Sequence, residues 1–272
     1  MPERNNPSDP ASPSQSARRR YEGRVAVVTG AGSGIGKAIA EQLSAEGATV
    51  LANDLNAEGL AELKGANIHT LAADVTDPAA AGQLVEAAKS IGSGRIDALF
   101  NNAGISVIGP AETFAMEDWR RVMDVNLDAA FRVAISVGQV MIDQGGGAIL
   151  NTASPAGMFG IPNSIAYVVS KHGLVGLTRG LAVEWGQYGI RVNAICPGLT
   201  ATGMNTQFRA DKPERWSDRE ARTPLRRGGE PSDQAATALF LNSDEAAYTT
   251  GQIAAVDGGQ HALYSGYSVA FR

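Results

Sequence analysis

The sequence contains a single cysteine, Cys196, among 272 residues. One cysteine cannot form an intrachain disulfide, and such sparse use is typical of a reducing compartment such as the cytoplasm. Cys196 lies within an apolar run that resembles a strand, which favours a small core residue over a nucleophile. We therefore expect a cytoplasmic protein without covalent cross-links.

Long apolar runs and an excess of positive charge are also missing. No uninterrupted apolar stretch approaches the roughly 18 residues of a membrane-spanning helix. The formal net charge of −5 argues against a nucleic-acid or anionic-membrane surface. Hydrophobic residues make up 44% of the chain, which is enough for a large core. These totals predict a globular domain that binds neither nucleic acid nor membrane.

The two ends of the chain differ in composition from its middle. The first 22 residues carry four prolines and the Arg18–Arg20 triplet but no apolar block for a signal peptide, so we predict a disordered tail over 1–22. The triplet suits a solvated charge run better than a site for an acidic partner. Residues 260–272 hold Leu263, Tyr264, Tyr267 and Phe271, more apolar surface than a free tail shows, and we expect them at a subunit interface.

Between these ends, short apolar runs alternate with helical patterns. The runs predict strands at 25–29, 49–53, 68–72, 96–101, 148–152, 191–195 and 252–256, and the helical patterns lie near 35–46, 78–90, 117–143, 165–186 and 231–241. This alternation predicts a single α/β domain: a Rossmann-like, doubly wound sheet of about seven parallel strands with helices on both faces. The charged segment 203–229 lacks a buried strand, which indicates a substrate lid or, alternatively, a solvated helical excursion.

A glycine-rich loop, Thr29-Gly-Ala-Gly-Ser-Gly-Ile-Gly36, follows the first predicted strand and opens a helix. Glycines there permit a tight turn and close approach to a pyrophosphate, and the helix N-terminus offers free N–H groups to phosphates. The strand–loop–helix context strengthens an otherwise weak motif. We predict cofactor contacts at Gly30, Ser33, Gly34, Ile35 and Gly36.

Asp54 ends the second predicted strand, 18 residues after Gly36. A carboxylate there accepts hydrogen bonds from adenosine ribose hydroxyls and repels a 2′-phosphate. Ser33 leaves the loop without a basic side chain, and Lys37 suits a solvated position. We therefore predict NAD rather than NADP as the cofactor, with Asp54 and Leu55 in contact; the alternative is that Asp54 is a helix cap or turn residue.

Tyr167 and Lys171 are four residues apart in a helical pattern and therefore share one helix face. A cation held there favours a phenolate and lowers the phenol pKa from about 10, which makes the phenol a usable proton donor and acceptor. Ser154, where a strand ends, offers a hydroxyl to a substrate oxygen. Alone the pair is weak evidence, because most such pairs are ordinary neighbours on a helix surface.

Eight motifs occur in the order of a known family. They are Thr29-Gly-x-x-x-Gly-Ile-Gly36, Asp74-Val75, Asn101-Asn-Ala-Gly104, Val125-Asn126-Leu127, Ser154, Tyr167-x-x-x-Lys171, Pro197-Gly198 and Asp257-Gly-Gly259. Over about residues 23–259 the chain resembles a short-chain dehydrogenase/reductase of the compact form, which is roughly 250 residues long.

The resemblance implies four catalytic roles. Tyr167 is expected to act as the general acid/base on the substrate oxygen, and Lys171 to bind the nicotinamide ribose and depress the pKa of Tyr167. Ser154 is expected to hold the substrate oxygen. Asn126 is expected to position a water that links Lys171 to solvent, although a mid-helix Asn also suits a backbone contact at a kink.

It also implies further cofactor contacts. These are Asp74 and Val75 at the adenine, Asn102, Ala103 and Gly104 along the cleft, and Pro197, Gly198, Thr200 and Thr202 near the carboxamide. The chain departs from the family pattern at Pro155, which fixes the loop after Ser154, and at the paired threonines, of which we favour Thr202 as the carboxamide contact. Asp257-Gly-Gly259 suits a turn closing the last strand as well as a functional motif. We predict no metal site.

The resemblance gives the substrate only as a class. Segments such as Leu181–Trp185 resemble bacterial sugar-acid and polyol dehydrogenases and 3-oxoacyl-carrier-protein reductases, and Asp54 favours oxidation of a polyol, a sugar or another secondary alcohol. The alternatives are an NADP-linked ketoreductase of the acyl-carrier-protein type and a dinucleotide-binding module without turnover. Relatives imply a homotetramer paired through the helices at 117–143 and 165–186 and through the last strand.

Overall fold

Seven parallel strands form one sheet in the computed structural model, which describes residues 19–203 and 206–263. The strands are β1 Val25–Thr29, β2 Thr49–Asp54, β3 Ile68–Ala72, β4 Ala98–Asn101, β5 Gly147–Thr152, β6 Ile190–Pro197 and β7 Ile253–Val256. Their order is β3-β2-β1-β4-β5-β6-β7, and every neighbouring pair is parallel. The predicted doubly wound, Rossmann-like sheet is therefore confirmed.

Helices cover both faces of the sheet. They are α1 Gly34–Ala45, α2 Ala57–Ala61, α3 Ala80–Ile91, α4 Met116–Met123, α5 Ala129–Gln144, α6 Ile165–Trp185, α7 Thr206–Asp211, α8 Pro213–Arg222 and α9 Pro231–Asn242. Helices α1 and α9 pack on one face, and α3, α5 and α6 on the other. A π-helical turn, Asp124–Asp128, joins α4 to α5.

Alternate residues of the buried strands supply the two cores. Val28 and Leu150 face α1 and α9, whereas Val27 and Ile149 face α3, α5 and α6. Because successive side chains of a strand point to opposite faces, a strand covered on both sides reads as a continuous apolar run. Cys196 is buried in a third cluster beside α6, in agreement with a small core residue.

The folded part begins earlier than the predicted boundary at residue 23. Tyr21 is 2% exposed, and its hydroxyl donates to the carbonyl oxygen of Leu239 at 2.7 Å. Arg20 forms two hydrogen bonds of 2.6 Å with the carboxylate of Glu46. Residues 20–22 therefore pack on the domain, and the predicted tail over 1–22 is wrong for them; residues 1–18 lie outside the described residues.

The predicted lid segment, 203–229, contains helices α7 and α8. The Nε1 of Trp216 donates to Glu220 at 2.8 Å, and Glu220 accepts from the backbone of Gly228 at 3.0 Å. These bonds fix the second half of the segment against the chain that leads into α9. Most of the predicted C-terminal extension, residues 264–272, lies outside the described residues.

The continuous helical segment Met116–Gln144 is long and apolar enough to cross a membrane by length and composition alone. In the structure α5 packs against α3 and strands β4 and β5, and α4 packs against α6. A helix that covers the core of a globular domain meets the same criteria.

Candidate active site

A cleft of about 840 Å³ opens at the carboxyl ends of the strands, where the strand order reverses between β1 and β4. Doubly wound folds bind ligands at this point. Of the residues predicted to contact the cofactor, it is lined by Gly30, Ser33, Gly34, Ile35, Asp54, Leu55, Asp74, Val75, Asn102, Ala103, Gly104, Tyr167, Lys171, Pro197, Gly198, Thr200 and Thr202. Only Gly36 of that predicted set is not part of the lining.

The glycine-rich loop packs too tightly for side chains. A Cβ on Gly30, whose φ is +66°, would lie 2.8 Å from the Cα of Ala103, and a Cβ on Gly36 would lie 2.1 Å from the carbonyl oxygen of Gly30. Gly36 therefore serves the packing of α1 on the loop rather than the cleft surface.

The N-terminus of α1 points into this cleft. The N-cap residue, Ser33, makes no side-chain capping bond, and no acidic residue occupies the first turn. The first N–H groups of α1 thus keep the positive end of the helix dipole available to an anion. A dinucleotide pyrophosphate fits this cradle of glycines and N–H groups.

Asp54 is fixed beside the loop by two backbone contacts. Its Oδ2 accepts from the N–H of Gly32 at 2.8 Å, and its Oδ1 accepts from the N–H of Asn56 at 2.9 Å. A carboxylate oxygen keeps a further lone pair after each bond, so Asp54 can still accept from a ribose diol. Lys37 does not line this cleft, and its Nζ lies 3.1 Å from Glu62.

Asn53, which sequence reasoning missed, shapes the adenine end. It is fully buried, and its Nδ2 donates to the carbonyl oxygens of Leu71 at 3.1 Å and Ala73 at 3.0 Å. Asn53 thereby fixes the chain that leads from β3 to Asp74. The carboxylate of Asp74 accepts from the backbone and the hydroxyl of Thr76 at 2.9 and 2.7 Å.

Asn102 ties the two central strands together at the floor of the cleft. Its Nδ2 donates to the carbonyl oxygens of Thr29 at 3.2 Å and Gly30 at 3.1 Å. The hydroxyl of Thr29 accepts from the N–H groups of Asn102 and Ala103, both at 3.1 Å. The position of the glycine-rich loop is thus fixed relative to the loop after β4.

Ser154, Tyr167 and Lys171 lie together at the other end of the cleft. Ser154 begins the loop after β5 and is buried, and Tyr167 and Lys171 share the inner face of α6. Lys171 Nζ donates to the carbonyl oxygen of Thr152 at 2.8 Å and lies 5.6 Å from the centre of the Tyr167 ring. Tyr167 and Lys171 line this end of the cleft, and Ser154 is hydrogen-bonded to the Tyr167 phenol without being part of the lining.

Burial governs the ionisation of Tyr167 and Lys171. Burial raises the pKa of Tyr167, while a hydrogen bond from Ser154 acts in the opposite direction. Burial also lowers the pKa of Lys171 to about 8. Burial is thus the larger effect on the pKa of Tyr167, and the Lys171 ammonium group is directed to the Thr152 carbonyl; the expected depression of the Tyr167 pKa by Lys171 stays a prediction.

Asn126 lies in the π-helical turn and is fully buried. Its amide accepts from the N–H of Ile105 at 2.8 Å and donates to the carbonyl oxygen of Ile105 at 2.9 Å and to Ser170 Oγ at 3.0 Å. A Cβ on Gly104 would lie 3.4 Å from both Asn126 Oδ1 and Lys171 Nζ. Asn126 thus holds the loop after β4 next to Lys171, as the kink interpretation expected.

The two threonines after β6 have different surroundings. Thr200 is buried; its hydroxyl donates to the carbonyl oxygen of Gly198 and accepts from Gln234, both at 3.1 Å. Thr202 lies against the glycine-rich loop, since a Cβ on Gly34 would be 3.2 Å from the Thr202 Cβ. This arrangement favours Thr202 as the residue facing a cofactor.

The structure adds cleft residues from the α4–α5 segment. Arg121, Asp124 and Val125 line the cleft. Arg132 links this segment to the chain after β3, because it donates to Asp124 at 2.9 Å and to the carbonyl oxygen of Thr76 at 3.3 Å. The sequence signal that could have identified the lining residues is the four-residue spacing of Arg121 and Val125, which places both on one face of a helix. By contrast, Asp257 caps the turn after β7 by accepting from the N–H groups of Gly259 and His261, and it does not line this cleft.

Comparison with known proteins gives matches over most of the chain. A family model described as enoyl-(acyl carrier protein) reductase matches residues 30–261. Levodione reductase of Leifsonia aquatica is 40% identical over 90% of this chain and 97% of its own length. D-threitol dehydrogenase of Mycolicibacterium smegmatis is 40% identical over 88% of this chain and 94% of its own.

A solved structure extends the comparison to three dimensions. It is described as a candidate NAD(P)-dependent gluconate 5-dehydrogenase from Beutenbergia cavernae with NADP bound at low occupancy. It is 42% identical, covers 90% of this chain and all of its own, and superposes with a TM-score of 0.83. The fold, the cleft and these matches lead to one assignment: the chain belongs to the short-chain dehydrogenase/reductase family of oxidoreductases.

Proposed function

We propose that the protein is an NAD(H)-dependent oxidoreductase that interconverts a secondary alcohol and a ketone, with Tyr167 as the general acid/base. One observation carries this proposal: Tyr167, which is hydrogen-bonded to Ser154, and Lys171 line one end of a cleft whose other end holds the glycine-rich loop and Asp54. A dinucleotide that spanned the cleft would place its nicotinamide beside the phenol.

The nicotinamide supplies the hydride chemistry, and the protein manages the proton. In alcohol oxidation the Tyr167 oxygen takes the hydroxyl proton as the carbon loses its hydride, and a ketone results. In ketone reduction Tyr167 returns a proton to the oxygen. Ser154 donates a hydrogen bond to that oxygen in both directions and stabilises the negative charge that develops on it. Lys171, charged below about pH 8, favours the phenolate at the moment of transfer.

The preference for NAD rests on Asp54. Its carboxylate lies where the ribose of the adenosine half would contact the loop. Among the described residues that line the cleft, the basic side chains are those of Arg121 and Lys171. A carboxylate at that position disfavours a 2′-phosphate. The relative with NADP bound makes NADP the cofactor to test against NAD.

The substrates that we propose are polyols, sugars and related secondary alcohols. D-threitol dehydrogenase among the relatives supports this class. We also propose a cytoplasmic location, which the single buried thiol of Cys196 suits.

A homotetramer is the assembly that we propose. Phe131 and Ile135 are exposed on one face of α5, and Ile165 and Val169 on one face of α6. Each pair is four residues apart and forms an apolar stripe that a second copy can cover. Sedimentation velocity should give a tetramer for the wild type and smaller species for Phe131→Glu.

The experiment for the reaction measures reduction of NAD and of NADP with a panel of polyols, sugars and secondary alcohols at mildly alkaline pH. We expect turnover with NAD that falls by about 10²-fold or more in Tyr167→Phe, while NADH binding persists. Turnover only with NADPH and acyl thioesters would favour the acyl-carrier-protein type of ketoreductase. NADH binding without turnover in either direction would indicate a dinucleotide-binding module.

A further inference from the structure

Three chain segments without a charged residue surround the catalytic end of the cleft. They are residues 102–111 after β4, 148–170 up to Lys171, and 192–203 after β6. Each contributes to the cleft lining, through Ile105, Tyr167 and Thr202 respectively. The first two are joined at the rim, where the N–H of Gly109 donates to the carbonyl oxygen of Asn163 at 2.9 Å.

The rim formed by the first two segments carries exposed apolar side chains. Ile108 is 75% exposed, Phe159 is 52% exposed and Ile161 is 42% exposed. Phe159 is held near Ser154, because its N–H donates at 2.9 Å to the carbonyl oxygen of Pro155, the residue after Ser154. These side chains lie on the two loops that lead to Ser154 and Tyr167, outside the lining of the cleft itself.

Polar groups on the same rim are few. The hydroxyl of Ser164 is buried and donates to the carbonyl oxygen of Pro162 at 3.3 Å. Within 103–111 and 155–166, the exposed polar side chains are those of Ser106 and Asn163. A polyol chain needs a donor or acceptor for each hydroxyl it buries, because an unpaired buried polar group is costly.

Three arginines near the cleft have partners in the structure. Arg121 lies 2.8 Å from Asp118, and the Arg209 guanidinium lies 4.9 Å from the centre of the Trp216 ring. Arg227 forms an ion pair with Asp233. The rim segments 102–111 and 148–170 themselves carry no charged side chain for the carboxylate of a sugar acid or for an acidic carrier protein.

We infer that the substrate is a neutral secondary alcohol or ketone with a largely apolar, ring-sized carbon skeleton, which packs on Phe159, Ile161 and Ile108. The inference rests on the proposed function; among the secondary alcohols named there, it selects those with an apolar skeleton over polyols and sugars. Contacts with the skeleton, away from the reacting carbon, supply binding energy that raises kcat/KM. One methylene in an apolar pocket changes kcat/KM by about 10- to 200-fold, so rim contacts are measurable.

The test compares kcat/KM with NAD for cyclohexanol, 2-propanol, xylitol and gluconate. Cyclohexanol carries the apolar ring, 2-propanol has the same reacting group without it, xylitol is neutral and polar, and gluconate is anionic. We expect cyclohexanol to exceed each of the other three by about tenfold or more.

Two variants connect this preference to the rim. Phe159→Ala should lower kcat/KM for cyclohexanol at least fivefold more than for 2-propanol. Ile108→Arg should lower kcat/KM for cyclohexanol and raise it for gluconate. The matched control is Val183→Ala, an exposed apolar residue on α6 that lies 16 residues beyond Tyr167, about 24 Å along the helix, and should change neither.

The outcomes separate this inference from the proposed function. If xylitol or gluconate is oxidised better than cyclohexanol, or if Phe159→Ala affects cyclohexanol and 2-propanol equally, the apolar-skeleton inference is wrong and the reaction class stands. If no alcohol is oxidised and no ketone is reduced with either cofactor, the proposed function itself fails. Thermal melting of each variant shows whether it is folded.

Discussion

The ammonium group of Lys171 donates a hydrogen bond of 2.8 Å to the backbone carbonyl of Thr152. This contact joins α6 to the end of β5, two residues before Ser154, and Lys171 is 3% exposed. Because a carbonyl dipole compensates a buried cation only in part, burial lowers the pKa of Lys171 to about 8. The burial of Lys171 therefore has a cost in stability that depends on pH.

Lys171→Met should show this cost. In the unfolded chain the pKa of Lys171 is that of a free lysine, about 10.4. Between about pH 8 and that value the unfolded state binds more protons than the folded state, so the contribution of Lys171 to the free energy of unfolding rises with pH. From pH 7 to pH 9.5 the wild type should gain about 2 kcal/mol relative to Lys171→Met, measured by urea denaturation.

Lys64→Met is the matched control, because Lys64 is exposed. Its difference from the wild type should stay constant over the same pH range. A constant difference for Lys171→Met as well would mean that Lys171 keeps a normal pKa in the folded state.

Asn126→Ala should mainly destabilise the fold and should change the surface of the cleft little. The substitution leaves the N–H and the carbonyl of Ile105 without their side-chain partners and removes the bond to Ser170. Two buried backbone groups without partners cost about 2–4 kcal/mol together. Ser170→Ala, which loses that same bond but leaves the Ile105 contacts in place, should cost about 1 kcal/mol. Equal urea midpoints for the two variants would contradict this role of Asn126.

The sheet and the cleft were largely predictable from the sequence, because their signals are local. Each buried strand is a short apolar run, and the predicted and observed strands differ by at most two residues at either end. The glycine-rich loop, Asp54 and the Tyr167–Lys171 pair follow elements whose ends are marked by glycines, prolines or polar residues. Parallel strands bring their carboxyl ends to one edge of the sheet, so the proximity of these residues can be predicted without knowledge of long-range contacts.

Features set by long-range contacts were not predictable in this way. Arg20 looks like part of a solvated charge run until Glu46, 26 residues later, is placed beside it. The pKa of Tyr167 depends on burial, which sequence spacing does not report. Asn53 is one of several asparagines at strand ends, and its role depends on where the chain leaving β3 passes.

Arg20→Met should strongly destabilise the protein. Arg20 and Glu46 form a bidentate pair in which both side chains are 9% exposed. Removing the guanidinium leaves a buried carboxylate whose remaining side-chain donor is the Gln42 amide at 3.3 Å, and losing one partner of a buried ion pair costs about 3–5 kcal/mol. The double variant Arg20→Met/Glu46→Met should recover most of this loss in urea denaturation.

Arg19→Met provides the comparison for that pair. Arg19 also contacts a glutamate, Glu22, at 2.8 Å, but both side chains are mostly exposed. An exposed pair contributes roughly 0–1 kcal/mol. A similar loss for Arg19→Met and Arg20→Met would show that the Arg20 pair has no special role.

Asp54→Asn should weaken the preference for NAD over NADP without disturbing the fold. The amide keeps an acceptor oxygen for the N–H of Gly32 or of Asn56, the two groups that Asp54 holds. It removes the negative charge that a 2′-phosphate would face; two charges 4 Å apart near a protein surface interact by about 4 kcal/mol. The ratio of kcat/KM for NAD to kcat/KM for NADP should therefore fall by about tenfold or more, with the change mainly in the KM for NADP.

Glu58→Gln is the matched control. It removes an equal charge from the exposed first turn of α2, four residues further along the chain, and should leave the ratio unchanged. If neither substitution changes the ratio, cofactor selection depends on other residues of the cleft. If both lower the ratio equally, Asp54 acts only through the general negative potential of this region and not through its position.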